Sequence, residues 1–88
     1  MIKSITKNVN ITLYPNKDSQ KCWRSNEFFV LSDYSALRDY YSTNYPSVSV
    51  AAMIEKTYDP KREFYQIILM FDNDADVAEF ILKECSDD

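Results

Sequence analysis

The residues in this chain with the most chemical potential are carboxylates. Asp72, Asp74 and Asp76 alternate in the D-x-D-x-D spacing that opens a calcium loop, where oxygens at the first, third and fifth positions converge on one cation. The remainder of such a loop is missing. Its sixth position is Val77 where Gly makes the sharp turn, and its twelfth is Lys83 where a bidentate Glu closes the site. The same three carboxylates suit the positive end of a helix dipole, so they are expected to cap a helix. No metal or other cofactor is expected. Cys22 has Lys21 beside it and Arg24 two residues on, charges that favour a thiolate. A nucleophilic thiol also needs a base to take its proton, and the chain contains no His. Cys22 therefore reads as a partly buried structural cysteine, and Cys85 as a core residue of the last helix.

Two absences exclude most catalytic families. Average usage of about 7% would give roughly six Gly, and there are none. Phosphate-cradling loops need Gly so that the backbone can reach positive φ and approach the phosphate, so P-loop and dinucleotide fingerprints are ruled out. The lack of His removes the usual general base at neutral pH and the commonest metal ligand. No carboxylate pair is marked by spacing for acid–base work, and the chain is not expected to be an enzyme.

The net charge is −4, unevenly spread. The basic residues Lys3, Lys7, Lys17, Lys21 and Arg24 crowd the first third of the chain. Asp72, Asp74, Asp76, Glu79, Glu84, Asp87 and Asp88 crowd the end, against Lys83 alone. An acidic domain argues against gripping a nucleic-acid backbone, which needs a basic patch, and favours a protein partner with a basic surface. The start, Met1-Ile2-Lys3-Ser4-Ile5, has no apolar signal core, and no apolar run nears the ~18 residues needed to cross a bilayer. The expected setting is the cytoplasm, with free thiols and no membrane contact.

Eighty-eight residues are expected to form one domain. A chain of this length buries only about 60–65% of its unfolded surface, so its core is thin. Val9, Ile11 and Leu13 alternate with polar residues as a half-buried strand that could start as early as Ile2 or Ile5. Turn residues 15–19 end it, and a second strand is expected within residues 22–31, firmest at Phe28-Phe29-Val30-Leu31. A helix follows from Ser32 as cap to about Thr43, with Leu31 as a staple, Tyr34, Leu37, Tyr40 and Tyr41 on one face, and Asn44 as a left-handed cap before Pro46. Residues 48–54 alternate as a third strand, and residues 58–63 make a turn around Pro60. The fourth strand, residues 64–71, is apolar almost throughout and is expected at the centre of the sheet. A second helix runs from Asp72-Asn73-Asp74 to about Cys85 with Val77, Phe80, Ile81 and Leu82 as its apolar face, and Ser86-Asp87-Asp88 are a frayed tail.

The predicted fold is α+β: a four-stranded, mainly antiparallel sheet with two helices on one face, in the order β-β-α-β-β-α. Two helices cover one sheet face only. Tyr65, Ile67, Leu69 and Phe71 alternate with Phe64, Gln66, Ile68 and Met70 on the fourth strand, so one set is left without helical cover. Phe64, Ile68 and Met70, with Met53 and Tyr14, are thus placed on an open, partly apolar surface of the kind that binds a partner or a second copy of the chain, unless the N-terminal hairpin or Trp23 folds over it.

This sheet-and-two-helix plan, with its many Phe and Tyr, resembles the RRM layout, and that resemblance implies stacking of single-stranded RNA or DNA on the sheet. It is architectural only, since residues 64–71 lack the basic-glycine-aromatic signature. In length and Asn/Lys/Tyr/Ser-rich composition the chain resembles small accessory proteins of phages and mobile elements, among them anti-defence inhibitors. The functional expectation is a non-catalytic acidic interaction module that inhibits a host defence or nucleic-acid-handling protein by covering its basic surface, in the host cytoplasm if phage-encoded. Asp72, Asp74, Asp76 and Glu79, and on the sheet Met53, Phe64, Ile68 and Met70, are the expected partner-binding residues. The alternatives are RRM-like single-strand binding and a self-associating subunit, a homodimer through the open sheet face.

Overall fold

Residues 63–70 carry the longest apolar strand pattern in the chain, and the fold is assembled on both sides of them. The computed structural model describes residues 2–6, 8–56 and 63–84. Five strands and two helices follow in the order β1 (Ile2–Thr6), β2 (Val9–Pro15), β3 (Cys22–Ser25), α1 (Leu31–Asn44), β4 (Ser49–Lys56), β5 (Glu63–Met70) and α2 (Asp74–Glu84). The sheet order is β1-β2-β3-β5-β4, with every neighbouring pair antiparallel. The α+β class is as expected, but the sheet has five strands where four were predicted, and the order is β-β-β-α-β-β-α. The anticipated turn around Pro60, Cys85 and the terminal tail lie outside the described residues, apart from Glu63, which opens β5.

The extra strand arises at Asn8. Thr6 pairs with Val9, so β1 and β2 are joined by two residues, and Asn8 sits at φ 65 in the left-handed region. A tight hairpin ordinarily uses Gly there; Asn is the next best choice because its short side chain tolerates that backbone. One long alternating segment is thereby folded back on itself.

The second expected strand is displaced. Residues 28–31 are not a strand; β3 is Cys22–Ser25, and only Phe29 returns to the sheet, through a two-way backbone bridge to Tyr65 (2.8 and 2.7 Å). Between Arg24, opposite Ile68, and Phe29, opposite Tyr65, the chain bulges outward. Ser25 seals the gap. Fully buried, its hydroxyl donates to the Glu27 carbonyl (2.9 Å) and accepts from the Ile67 N–H (3.2 Å), while its own carbonyl accepts from the Gln66 side-chain amide.

Helix α1 begins one residue ahead of Ser32, at Leu31. Val30 is its N-cap, with no side-chain cap bond, and Leu31 is an exposed first-turn residue, so the expected Ser32 cap and Leu31 staple do not form. Its end also differs. Asn44 is the last helical residue and donates its amide to the Tyr40 carbonyl, and the C-cap Tyr45 has a negative φ of −134. The expected inner face holds: Tyr34, Leu37 and Tyr41 are buried, and Tyr40 is half-buried. In α2 the cap is Asn73, whose side-chain oxygen accepts from the Asp76 N–H at 2.9 Å. Val77 and Phe80 point inward, but Leu82 is 77% exposed and does not belong to the apolar face.

All the buried apolar side chains form one core between the helices and a single sheet face: Ile11, Leu13, Trp23, Ile67 and Leu69 from strands, met by Leu37, Tyr41, Val77 and Phe80 from helices. Phe80 is fully buried, with ring centroids 5.3 Å from Trp23, 5.0 Å from Phe71 and 5.6 Å from Tyr45. Phe80→Ala should destabilise the fold by about 3–5 kcal/mol, the usual cost of emptying a large aromatic site, measured as a shift of the urea midpoint. A loss below ~1 kcal/mol would show that the site collapses and that Phe80 does not bind the layers together.

Candidate interaction surface

The face of the sheet turned away from the core is built by alternation. On β5 it carries Phe64, Gln66, Ile68 and Met70; register sets Glu55, Met53, Ala51 and Ser49 beside them from β4. On the other flank Arg24 lies opposite Ile68 and Cys22 opposite Met70, with Tyr14 of β2 next to Arg24. Both helices pack on the opposite face, and this one has no helix over it. Trp23 does not fold across it; its ring is in the core against Phe80, and its indole N–H donates to the Gln20 carbonyl at 2.8 Å. Met53 is 58% exposed and Met70 40%, while Phe64 and Ile68 are half-buried between neighbouring strands.

Sequence reasoning missed the densest part of the surface. Among the described residues seven large hydrophobics are exposed, and Phe28, Val30, Leu31, Met53 and Ile54 all flank the start of β5. Phe29 bridges to Tyr65 from one side and Ile54 pairs with Tyr65 from the other. Alternation divides them between the faces: Met53, opposite Gln66, is on the open face, whereas Ile54, opposite Tyr65, is on the helix-bearing face at the same end of the sheet. Phe28, Val30 and Leu31 looked like strand core; the signal against that was the Ser32-Asp33 helix start directly behind them, which leaves no room for a buried strand.

The carboxylates separate into different roles. Asp76 accepts from the Ser47 hydroxyl and thereby ties α2 to the loop after α1. Glu79 pairs with Lys83 at 2.9 Å, one helical turn away. Asp72 and Asp74 are exposed and form no ion pair among the described residues. They follow Met70, which lies at the far end of β5, roughly 17 Å from Tyr65 at about 3.3 Å per residue. The expected acidic and apolar partner-binding residues therefore do not form one patch. Met70 and Ile68 adjoin the carboxylates, and Met53 and Phe64 adjoin the apolar end.

One carboxylate is buried, and it was not singled out by sequence. Glu84, at the end of α2, accepts hydrogen bonds from the Tyr40 and Tyr45 hydroxyls, both at 3.1 Å on the same oxygen. Burial raises the pKa of Tyr40, Tyr41 and Tyr45, and the nearby Glu84 charge raises them further; beside Tyr41, Thr6 acts weakly in the other direction. The Lys83 ammonium sits 5.4 Å from the Tyr45 ring centre. Perturbed groups of this kind mark active sites when they line a cleft. Here the acceptor oxygen is filled by two phenols that lock α2 to the end of α1, which makes the cluster a clasp. No group of His, Cys, Asp and Glu among the described residues is arranged to hold a metal ion, and no described helix is long and apolar enough to cross a membrane. Cys22 is a half-buried free thiol on the open face.

Comparison with protein-family models, curated proteins and solved structures finds no match to this chain.

Glu84→Ala strands two phenols without their acceptor and should destabilise the fold by about 2 kcal/mol, whereas Glu84→Gln, which keeps an acceptor oxygen, should cost less; equal losses would rule out the hydrogen bonds as the cause. The pH dependence has a fixed sign. Tyrosines whose folded pKa exceeds the ordinary 10.0 resist ionisation in the folded state, so their contribution is complete below pH 10 and is lost as pH rises beyond it. The thermal midpoint should fall above pH 10, and less steeply in Tyr45→Phe, which has one such group fewer.

Proposed function

We propose that this chain is a non-catalytic interaction module that binds a protein partner through the apolar end of its sheet. The observation that carries this reading is the number of exposed apolar side chains at the end of the sheet where β5 starts: Met53 on the open face, and Phe28, Val30 and Leu31 on the segment that runs from the Phe29–Tyr65 bridge into α1. Scattered surface hydrophobics are ordinary, but several exposed at one end of an uncovered sheet face are a usual mark of a partner site. Asp72 and Asp74 supply a second, acidic contact that orients a partner with a basic surface and speeds its approach. In its narrower form the reading is an inhibitor: a small accessory protein of a phage or mobile element that covers the basic surface of a host defence or nucleic-acid-handling protein in the cytoplasm.

The test is capture of partners from host lysate by the tagged protein, identified by mass spectrometry and followed by binding measurements on the purified partner. Met53→Lys and Leu31→Lys, both at exposed positions, should weaken binding at least tenfold while leaving the thermal midpoint within a few degrees. Asp72→Lys with Asp74→Lys should slow association and flatten its salt dependence. Binding that survives Met53→Lys and Leu31→Lys together would overturn the apolar site, and binding indifferent to salt and to both aspartates would overturn the basic-surface form. Loss of binding in those variants only through dimer dissociation, seen by light scattering, would instead favour the self-associating subunit.

A further inference from the structure

Where β2 turns into β3, the open face ends in a groove of about 550 Å3 lined by Tyr14, Asn16, Lys17, Arg24 and Asn26, with Asp18 as its carboxylate. That volume falls within the range of small-ligand sites, roughly 300–1,000 Å3. Tyr14 and Arg24 are register partners on adjacent strands, so the phenol ring and the guanidinium stand side by side on the same sheet face. The loop bearing Asn16 and Lys17 is held by its own bonds. Asn16 N–H donates to the Cys22 carbonyl at 2.8 Å, the Asn16 side-chain oxygen accepts from Asp18 N–H at 3.0 Å, and the Trp23 indole fastens Gln20. The groove is thus pre-formed.

Its cations, Lys17 and Arg24, outnumber its one carboxylate, Asp18. The ion pairs among the described residues, Arg38–Asp39 and Glu79–Lys83, lie within the helices, and none of Lys3, Lys17, Lys21 and Arg24 joins one. Lys3 and Arg24 are on the open face, and α1 and α2 with their acidic residues pack on the other. The net charge of −4 that argued against nucleic acid is therefore not the charge of this surface.

We propose that the groove binds a nucleotide, with the base stacked on Tyr14, the phosphate held by Arg24 and Lys17, and the Asn26 amide facing the base edge. Stacking on an aromatic ring beside a backbone-tracking cation is how bases are held without Gly-rich loops, which this chain cannot build. A free mononucleotide and the exposed nucleotide of a single strand offer the same chemistry.

The test titrates the intact protein, at low salt, with a short fluorescein-labelled oligothymidylate and separately with adenosine 5′-monophosphate, read by anisotropy and by backbone amide NMR shifts. Saturable binding with shifts at Tyr14, Asn16 and Arg24 is expected. Binding of the strand alone identifies single-stranded nucleic acid as the source, and equal binding of the monophosphate identifies a free nucleotide. Tyr14→Leu and Arg24→Gln should each weaken binding roughly tenfold, and Lys17→Gln should shallow the salt dependence. Arg24 and Lys17 are exposed, so these two variants carry the test should Tyr14→Leu disturb the sheet. The proposal is overturned by absence of saturable binding of both probes, by unchanged binding in both Arg24→Gln and Lys17→Gln, or by shifts confined to the apolar end around Met53. None of these results bears on capture of a protein partner at that end.

Discussion

The fold depends on the packing around Phe80. Its ring joins the helix layer to the sheet, edge-on to Trp23 from β3, against Phe71 as the chain leaves β5, and edge-on to Tyr41 and Tyr45 from α1 and its cap. Aromatic pairs of this type contribute about 0.5–1.5 kcal/mol each beyond area burial. In a domain of this size, with total stability of order 5–10 kcal/mol, a cluster of four such contacts is a large share. The surface inherits its position from this core, around which the Glu84 clasp and the Lys83–Tyr45 contact hold α2 to the end of α1, and the Ser47–Asp76 tie holds it to the loop that follows.

With both helices committed to one face, the other must either meet solvent or meet a partner. It is not uniform. Its β4 end is apolar, its β2–β3 end is cationic, and the strand between them carries mixed side chains such as Gln66 and Ile68. Lys17 and Arg24 outnumber Asp18 at the β2–β3 end, while Glu55 lies on the same face beside Phe64 at the other.

Much of this was legible in the chain. Alternation located β2, β4 and β5, the inner face of α1 appeared in Tyr34, Leu37 and Tyr41, and the β5 pattern separated a buried face from an open one. What was not legible has local physical causes. The β1–β2 hairpin turns on one Asn in a left-handed conformation, which composition does not announce in a chain without Gly. Residues 28–31 carry strong strand propensity, yet the bulge at Ser25 and the early start of α1 leave three of the four at the surface. Glu84 looked like one more solvated acid, because its burial depends on two tyrosines some forty residues away. The apolar end of the candidate site was hidden for the same reason that residues 28–31 were misassigned, and the cationic groove needs the β2–β3 register, which no local pattern supplies.

The strand order has a kinetic consequence. Within β1-β2-β3, and within β4-β5, every pairing joins neighbours in sequence, and such contacts close quickly. Only β3 against β5 must span α1 and β4, and its loop-closure entropy has to be met before the core can form. The chain thus divides into two locally wired halves, a three-stranded meander and an α-β-β-α segment, joined within the sheet by the β3–β5 seam and above it by α2 packing on β1 and on Trp23. Ser25 lies on that seam, buried and hydrogen-bonded to Ile67 of the opposite half. The joining of β3 to β5 is therefore the sheet pairing of longest sequence separation, and the one with the largest loop-closure cost.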